Sequence, residues 1–173
     1  EHHWGGSVFE IFLGKTSMVD VMSVSRASEI MSEEGIRNAV HDHVAEWFPK
    51  EACGLLVDSQ DGPKAVLAEN KADKYHSLDP EAYPRTAETA YVLDPLLITK
   101  AERAGERVVA IFHSHVRVGA YFSDEDVAQA LSPFGEGPLY PGIDYVVLDA
   151  QDDGVLGYKV FRWSDTEKGF VGC

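Results

Sequence analysis

Residues 107–112 (RVVAIF) are apolar and rich in β-branched side chains, which reads as a buried strand, and they run straight into His113-Ser114-His115. Side chains two apart on a strand share a face, so the two histidines project together if the strand continues through them. Such a pair fills two corners of a tetrahedral zinc site, at roughly 2.0 to 2.1 Å per nitrogen. After a short loop come Ser123, Asp124, Glu125, Asp126 and the helix-compatible run VAQAL. Ser123 has the chemistry of an N-cap, and Asp126 then falls at the third helical position, at the start of a helix aimed back toward the histidines. Its carboxylate is the candidate third ligand. Two imidazoles and one carboxylate leave a fourth position open for water, which marks a catalytic rather than a structural site. An SxxD before an apolar run is a capping signal in its own right, and His-x-His alone is weak. The weight rests on the combination.

The chain around this stretch has the size and composition of one domain with an extension. Its 173 residues suffice to bury a core, and 45% hydrophobic with 25% charged residues is ordinary for a globular protein. A net charge of -14 argues against a nucleic-acid backbone or an anionic membrane as the main partner. A neutral or basic protein substrate fits better. Two cysteines, Cys53 and Cys173, make no disulfide framework, so a reducing, cytoplasmic setting is expected. No apolar run approaches the roughly 18 residues that cross a bilayer. The opening EHHWGGS does not read as a basic signal-peptide start, and His2 and His3 are left out of the site.

Taken in order, residues 1–24 form an N-terminal extension, with a possible strand or hairpin around VFEIFL, and residues 25–173 the main domain. Ile36, Val40, Val44 and Phe48 recur at four-residue steps and give one face of an amphipathic helix ended by Pro49. Histidines two apart on that helix point about 200° apart, so His41 and His43 are read as part of a solvated face. CGLLV and KAVLAE, separated by the turn DSQDGP, form a hairpin with Glu51 at its entrance. Residues 70–88 show no periodic pattern and are expected to be a loop facing the substrate. YVLD reads as a short strand, and Asp94-Pro95 as the start of a helix over LLITKAERA closed by Gly105. Residues 132–142, with three prolines and three glycines, form a loop. DYVVLDA and VLGYKVFRW then make a second hairpin. Strands before, between and after helices imply an α/β fold, a single mixed β-sheet with helices packed on its faces.

Chemistry at a metal-activated water requires a base, and Glu51 is the candidate. PKEACGLL at 49–56, followed about sixty residues later by His-Ser-His, seven intervening residues and Ser-x-x-Asp, resembles the JAMM/MPN+ metalloprotease family. The resemblance covers residues 32–163. It implies the three-layer MPN and cytidine-deaminase-like arrangement and one zinc ion per chain, held by His113, His115 and Asp126. By the same resemblance Glu51 activates the water and shuttles its proton, and Ser123 helps hold the oxyanion of the tetrahedral intermediate. Asn70, the Asp94-Pro95 helix start and the AYxS-like run before Asp126 are similar to the prokaryotic branch that processes ubiquitin-like sulfur-carrier proteins. Val116 and Phe122 stand where the family often has proline, which bears on loop geometry rather than on a ligand.

The expected activity is hydrolysis of a peptide or isopeptide bond at the C-terminal tail of a ubiquitin-like or sulfur-carrier protein, with the tail lying along an exposed strand edge. The expected partners are that protein substrate and a second copy in a homodimer, with no nucleic acid and no membrane. A phage tail assembly peptidase and a non-catalytic MPN scaffold are the alternatives. A zinc deaminase would require a P-C-x-x-C run, and the chain has none.

Overall fold

The computed structural model describes residues 24–173; the extension expected over residues 1–24 lies outside them apart from Val24. The elements in chain order are α1 (Arg26–Ser32), α2 (Glu34–Trp47), β1 (Cys53–Ser59), β2 (Gly62–Ala68), α3 (Ala72–Leu78), α4 (Leu96–Arg103), β3 (Arg107–Val116), α5 (Asp124–Ala130), β4 (Asp144–Gln151), β5 (Gly154–Ser164) and β6 (Gly169–Gly172). The six strands form one sheet in the order β2-β1-β3-β4-β5-β6. Only β3 and β4 run parallel, joined by a crossover through α5; every other pair is antiparallel. This is the mixed α/β sheet that the sequence implies.

The strands owe their two-sided burial to helices on both faces. On one face Leu56, Ala110, Phe112 and Leu148 pack against Ile30, Met31, Val40 and Val44 of α1 and α2. On the other, Leu55, Val57, Ile111 and Tyr145 pack with Ile98 and Ala101 of α4, Ala130 of α5 and the side chain of Tyr91. The β1–β3 register shifts between Leu56 and Val57, where one extra residue on β3 resets the alternation. Beyond that bulge Ile111, His113 and His115 share the α4 face. Phe112 and Ser114 point to the α1–α2 face.

Several local expectations are corrected by the structure. The amphipathic helix is preceded by α1, from which Glu33 in extended conformation separates it. Glu33 is the C-cap of the first helix and the N-cap of the second, so a four-residue apolar repeat spans only α2. His43 is buried rather than solvated: its Nε2 lies 3.1 Å from the carbonyl oxygens of both Cys53 and Ala68. With two acceptors before it, that nitrogen carries the proton and donates to both. Residues 70–88 are not all loop, because α3 forms within them. YVLD is not a strand; its Val92 bonds Asn70 Oδ1 and the Lys71 N–H instead of a sheet neighbour. The helix after Asp94-Pro95 begins at Leu96, whose N–H is accepted by the Asp94 carboxylate. Strand β6 carries no alternating pattern long enough to be read from sequence.

Gly54 marks the tightest point of the sheet. It pairs with Leu67 and Phe112, and a Cβ built there overlaps the Val66 carbonyl oxygen and the Phe112 ring. Both obstacles are backbone or fully buried, so neither can yield. Gly54→Ala is expected to lower stability by about 1 to 3 kcal/mol, the usual range for overpacking a core, as read by urea unfolding.

Candidate metal centre

Strand β3 continues through both histidines, and the register Cys53 to His113 sets them beside the start of β1. Ser114, between them, must point to the opposite face and needs a partner there. It finds one in the segment that follows Glu51. Its Oγ accepts from the Ala52 N–H at 2.8 Å, and its own N–H donates to the Ala52 carbonyl at 3.0 Å. The Glu51 side chain is thereby carried to the histidine end of the sheet.

Asp126 arrives from the other direction. Ser123 is the N-cap of α5, accepting the Asp126 N–H at 3.1 Å, while Asp126 Oδ2 accepts the Ser123 N–H at 2.9 Å. This reciprocal capping box fixes the first turn. It also aims the carboxylate at β3.

Three side chains converge on one point. His113 Nε2 lies 3.2 Å from His115 Nε2 and 3.2 Å from Asp126 Oδ1, and His115 Nε2 lies 3.1 Å from Asp126 Oδ2. Ligand atoms around a tetrahedral ion with bonds of roughly 2.0 to 2.1 Å stand roughly 3.3 Å apart, so the spacing matches. His115 Nδ1 lies 3.2 Å from the Gly119 carbonyl, which requires the proton on Nδ1 and leaves the Nε2 lone pair facing inward. His113 is wholly buried, with Tyr91 stacked on its ring at 4.3 Å and 19°. A single proton on His113 Nε2 satisfies one of these contacts and leaves the others as acceptors against acceptors. A divalent cation satisfies all three, so the residues present fit a zinc ion.

The electrostatics agree with that donor set. Burial holds the His113 imidazole below its ordinary range, outweighing the neighbouring carboxylate, so it stays neutral. Burial opposes ionisation of Asp126, but the contacts with the His113 and His115 rings and the hydrogen bond from the Ser123 N–H hold its carboxyl well below the usual range. A neutral imidazole and an ionised carboxylate are the forms that ligate. Glu51 behaves oppositely. Burial first, then the charge of Asp126, pushes it up from 4.5 to about 8, with Arg85 pulling the other way.

Glu51, Ser123, His115 and Asp126 line one small cleft of about 180 Å³, whose walls also include Arg85, Tyr91, Val118 and Tyr121. The five residues expected at the site from sequence therefore lie together: His113, His115 and Asp126 converge, while Glu51 and Ser123 share a cleft with His115 and Asp126. Sequence reasoning missed Tyr91, which covers His113, and the Arg85–Glu125 ion pair at 2.6 Å across the rim. Arg85 comes from a segment without periodicity, and Tyr91 from the YVLD run read as a strand. The role of Ser114 was readable, since a polar residue between two same-face ligands has to be satisfied on the other side.

The chain matches the family of prokaryotic homologs of the JAB domain over residues 33–155. Among solved structures it is similar to a protein from Desulfitobacterium hafniense, with a TM-score of 0.54 and 18% identity, covering 81% of this chain and 86% of that one. A protein from Salinibacter ruber gives a TM-score of 0.50 and 21% identity, with the same coverage of 81% and 86%. At these identities the likeness speaks for the fold. No curated protein matches the chain. The family match runs from α2 to the first two residues of β5 and encloses both histidines, Asp126 and Glu51, and with it the chain is assigned to the JAB/MPN family, as a prokaryotic JAB-domain protein.

Proposed function

We propose that this protein is a zinc metallopeptidase that hydrolyses a peptide or isopeptide bond at the C-terminal tail of a ubiquitin-like or sulfur-carrier protein. One observation carries the reading. A buried carboxyl group outside the cluster, Glu51, lines the same cleft as His115 and Asp126 of the buried His-His-Asp cluster. A purely structural metal site has no use for such a group.

His113, His115 and Asp126 would hold the ion, which when bound supplies Lewis acidity and acidifies water toward neutrality. The remaining steps belong to this chain's own groups. Glu51 takes a proton from the attacking water on its carboxylate and delivers it to the leaving amine, and a value pushed toward neutrality suits both halves of that task. Ser123 Oγ accepts the Asp126 N–H, which leaves its hydroxyl proton free to be donated to the oxygen where negative charge develops. Desolvation in the cleft strengthens both interactions. The cleft is small, so residues with little or no side chain at the scissile bond fit it best, as in a glycine-rich tail.

No helix among the described residues is long and apolar enough to cross a membrane. The net charge of -14 favours a neutral or basic protein as substrate. Glycine-rich tails carry few side chains to recognise, which places the burden on main-chain contacts along the cleft.

Glu51→Gln is expected to bind about one zinc per chain, by elemental analysis, and to lose about 100-fold or more of its cleavage of a ubiquitin-like fusion, the scale of a removed general base. Wild-type activity in that variant would remove Glu51 from the mechanism. Ser123→Ala loses both the oxyanion donor and the helix cap, so a fall of about 100-fold in kcat should come with about 1 kcal/mol of lost stability. For the metal-free protein the sign is fixed by Glu51: its carboxyl is ordinarily half-ionised at 4.5 and in the fold only at about 8. Its contribution to stability is therefore full below the lower value and is lost as pH rises through the upper one. Urea midpoints across that window should show the loss in wild type and not in Glu51→Gln.

A further inference from the structure

A second cavity of about 500 Å³ adjoins the metal cleft, and Arg85, Ala90, Tyr91, Glu125 and Gln129 line both. Its remaining walls are largely apolar, formed by Leu93, Ile111, Leu139 and the tyrosines at 83, 140 and 145. The volume falls within the range of sites that enclose a ligand group, roughly 300 to 1,000 Å³. The metal cleft beside it is less than half as large.

Two of the tyrosines are built into the protein in an unusual way. Tyr91 is 7% exposed and Tyr145 is 2% exposed, yet neither phenol hydroxyl bonds to a group among the described residues. Neither oxygen is sealed off within the packing either, since the sealed, unpartnered side-chain atoms among the described residues are His41 Nε2 and His113 Nδ1. Both residues line the second cavity, and Tyr91 lines the metal cleft as well. Buried hydroxyls normally find partners. Here no such partner stands among the described residues. Burial keeps Tyr140 and Tyr145 protonated, so both can donate.

Resting on the peptidase reading above, we propose that this cavity is a specificity subsite that takes a bulky apolar side chain, aromatic by preference, from a tail residue next to the glycines in the metal cleft. The ring fills the apolar space over Ile111 and Leu93. The Tyr145 hydroxyl donates to a main-chain carbonyl of the same segment, which supplies the partner it lacks, with the Tyr140 hydroxyl as a second donor. Tyr91 forms the shared wall, one face on His113 and an edge on the cavity, and so sets the distance between the subsite and the metal. The two cavities divide the substrate: no side chain at the scissile bond, and a large one beside it.

The test uses binding, so that it stands apart from cleavage. Zinc-loaded and metal-free Glu51→Gln protein is titrated with acetyl-Phe-Gly-Gly-amide and with acetyl-Gly-Gly-Gly-amide, followed by amide chemical shifts. The phenylalanine peptide is expected to bind about tenfold or more tightly, the scale of burying one aromatic side chain, with shifts at Leu93, Ile111 and Leu139. Tyr140→Phe with Tyr145→Phe should weaken it several-fold without unfolding the protein. Gln129→Trp, at the exposed rim, should block it. Equal affinity for the two peptides, or shifts confined to other surfaces, overturns the subsite. Tight binding of the phenylalanine peptide by a protein that cleaves no tail would instead leave the subsite standing and overturn the peptidase reading.

Discussion

Ala52 and Ser114 exchange two hydrogen bonds, one through the serine side chain and one through its backbone, and the site depends on that pairing. It locks the entrance of β1 to the histidine end of β3. A slip of one residue would turn His113 and His115 to the α1–α2 face and Ser114 to the metal side. Because one face of β3 carries imidazoles and the other Phe112 and Ala110 against a packed helix layer, such a slip also buries ligands in an apolar core. The register is therefore held by the polar pair and by the cost of every alternative.

Asn70 extends the same logic into the irregular part of the chain. Its Nδ2 donates to the carbonyls of Glu51 and Ala90, and its Oδ1 accepts the N–H groups of Ala72 and Val92. All four of its hydrogen-bonding positions are used, at 4% exposure. One buried amide thus ties Glu51, the start of α3 and the segment bearing Tyr91 to one another. A segment without its own ladder has to satisfy its backbone somewhere, and here it does so on a side chain. The Asp126 carboxylate is fixed by its own contacts with Ser123 and the histidines, while Asn70 fixes the backbone that carries Glu51.

What could be read from the sequence follows from how each element is encoded. The strand through His113 and His115, the Ser123 cap and the Asp126 position are local patterns, and the structure reproduces them with the capping box complete. The mixed sheet was legible because its strands are short apolar runs between helical periodicities. Glu51 was reached through resemblance, since nothing local distinguishes it from an exposed glutamate; only long-range pairing at β1 and β3 reveals its burial. His43 misled because its spacing from His41 argues correctly against a shared ligand face, and that says nothing about whether one of the two is buried. YVLD has strand composition, but Asn70 and Lys71 take its backbone bonds before a sheet neighbour can. Helix α3, seven residues long, has too little pattern to stand out from a loop.

The capping box on α5 has one more consequence. Asp126 Oδ2 is held by the Ser123 N–H and faces His115, so the atom that closes the first turn also borders the cation's place. Winding of that turn and affinity for an ion held there would be thermodynamically coupled, because a frayed helix start displaces the carboxylate that would grip it. The serine hydroxyl hangs from the same turn. Its orientation follows the same winding, so a cation held at this cluster would align the hydroxyl together with the carboxylate.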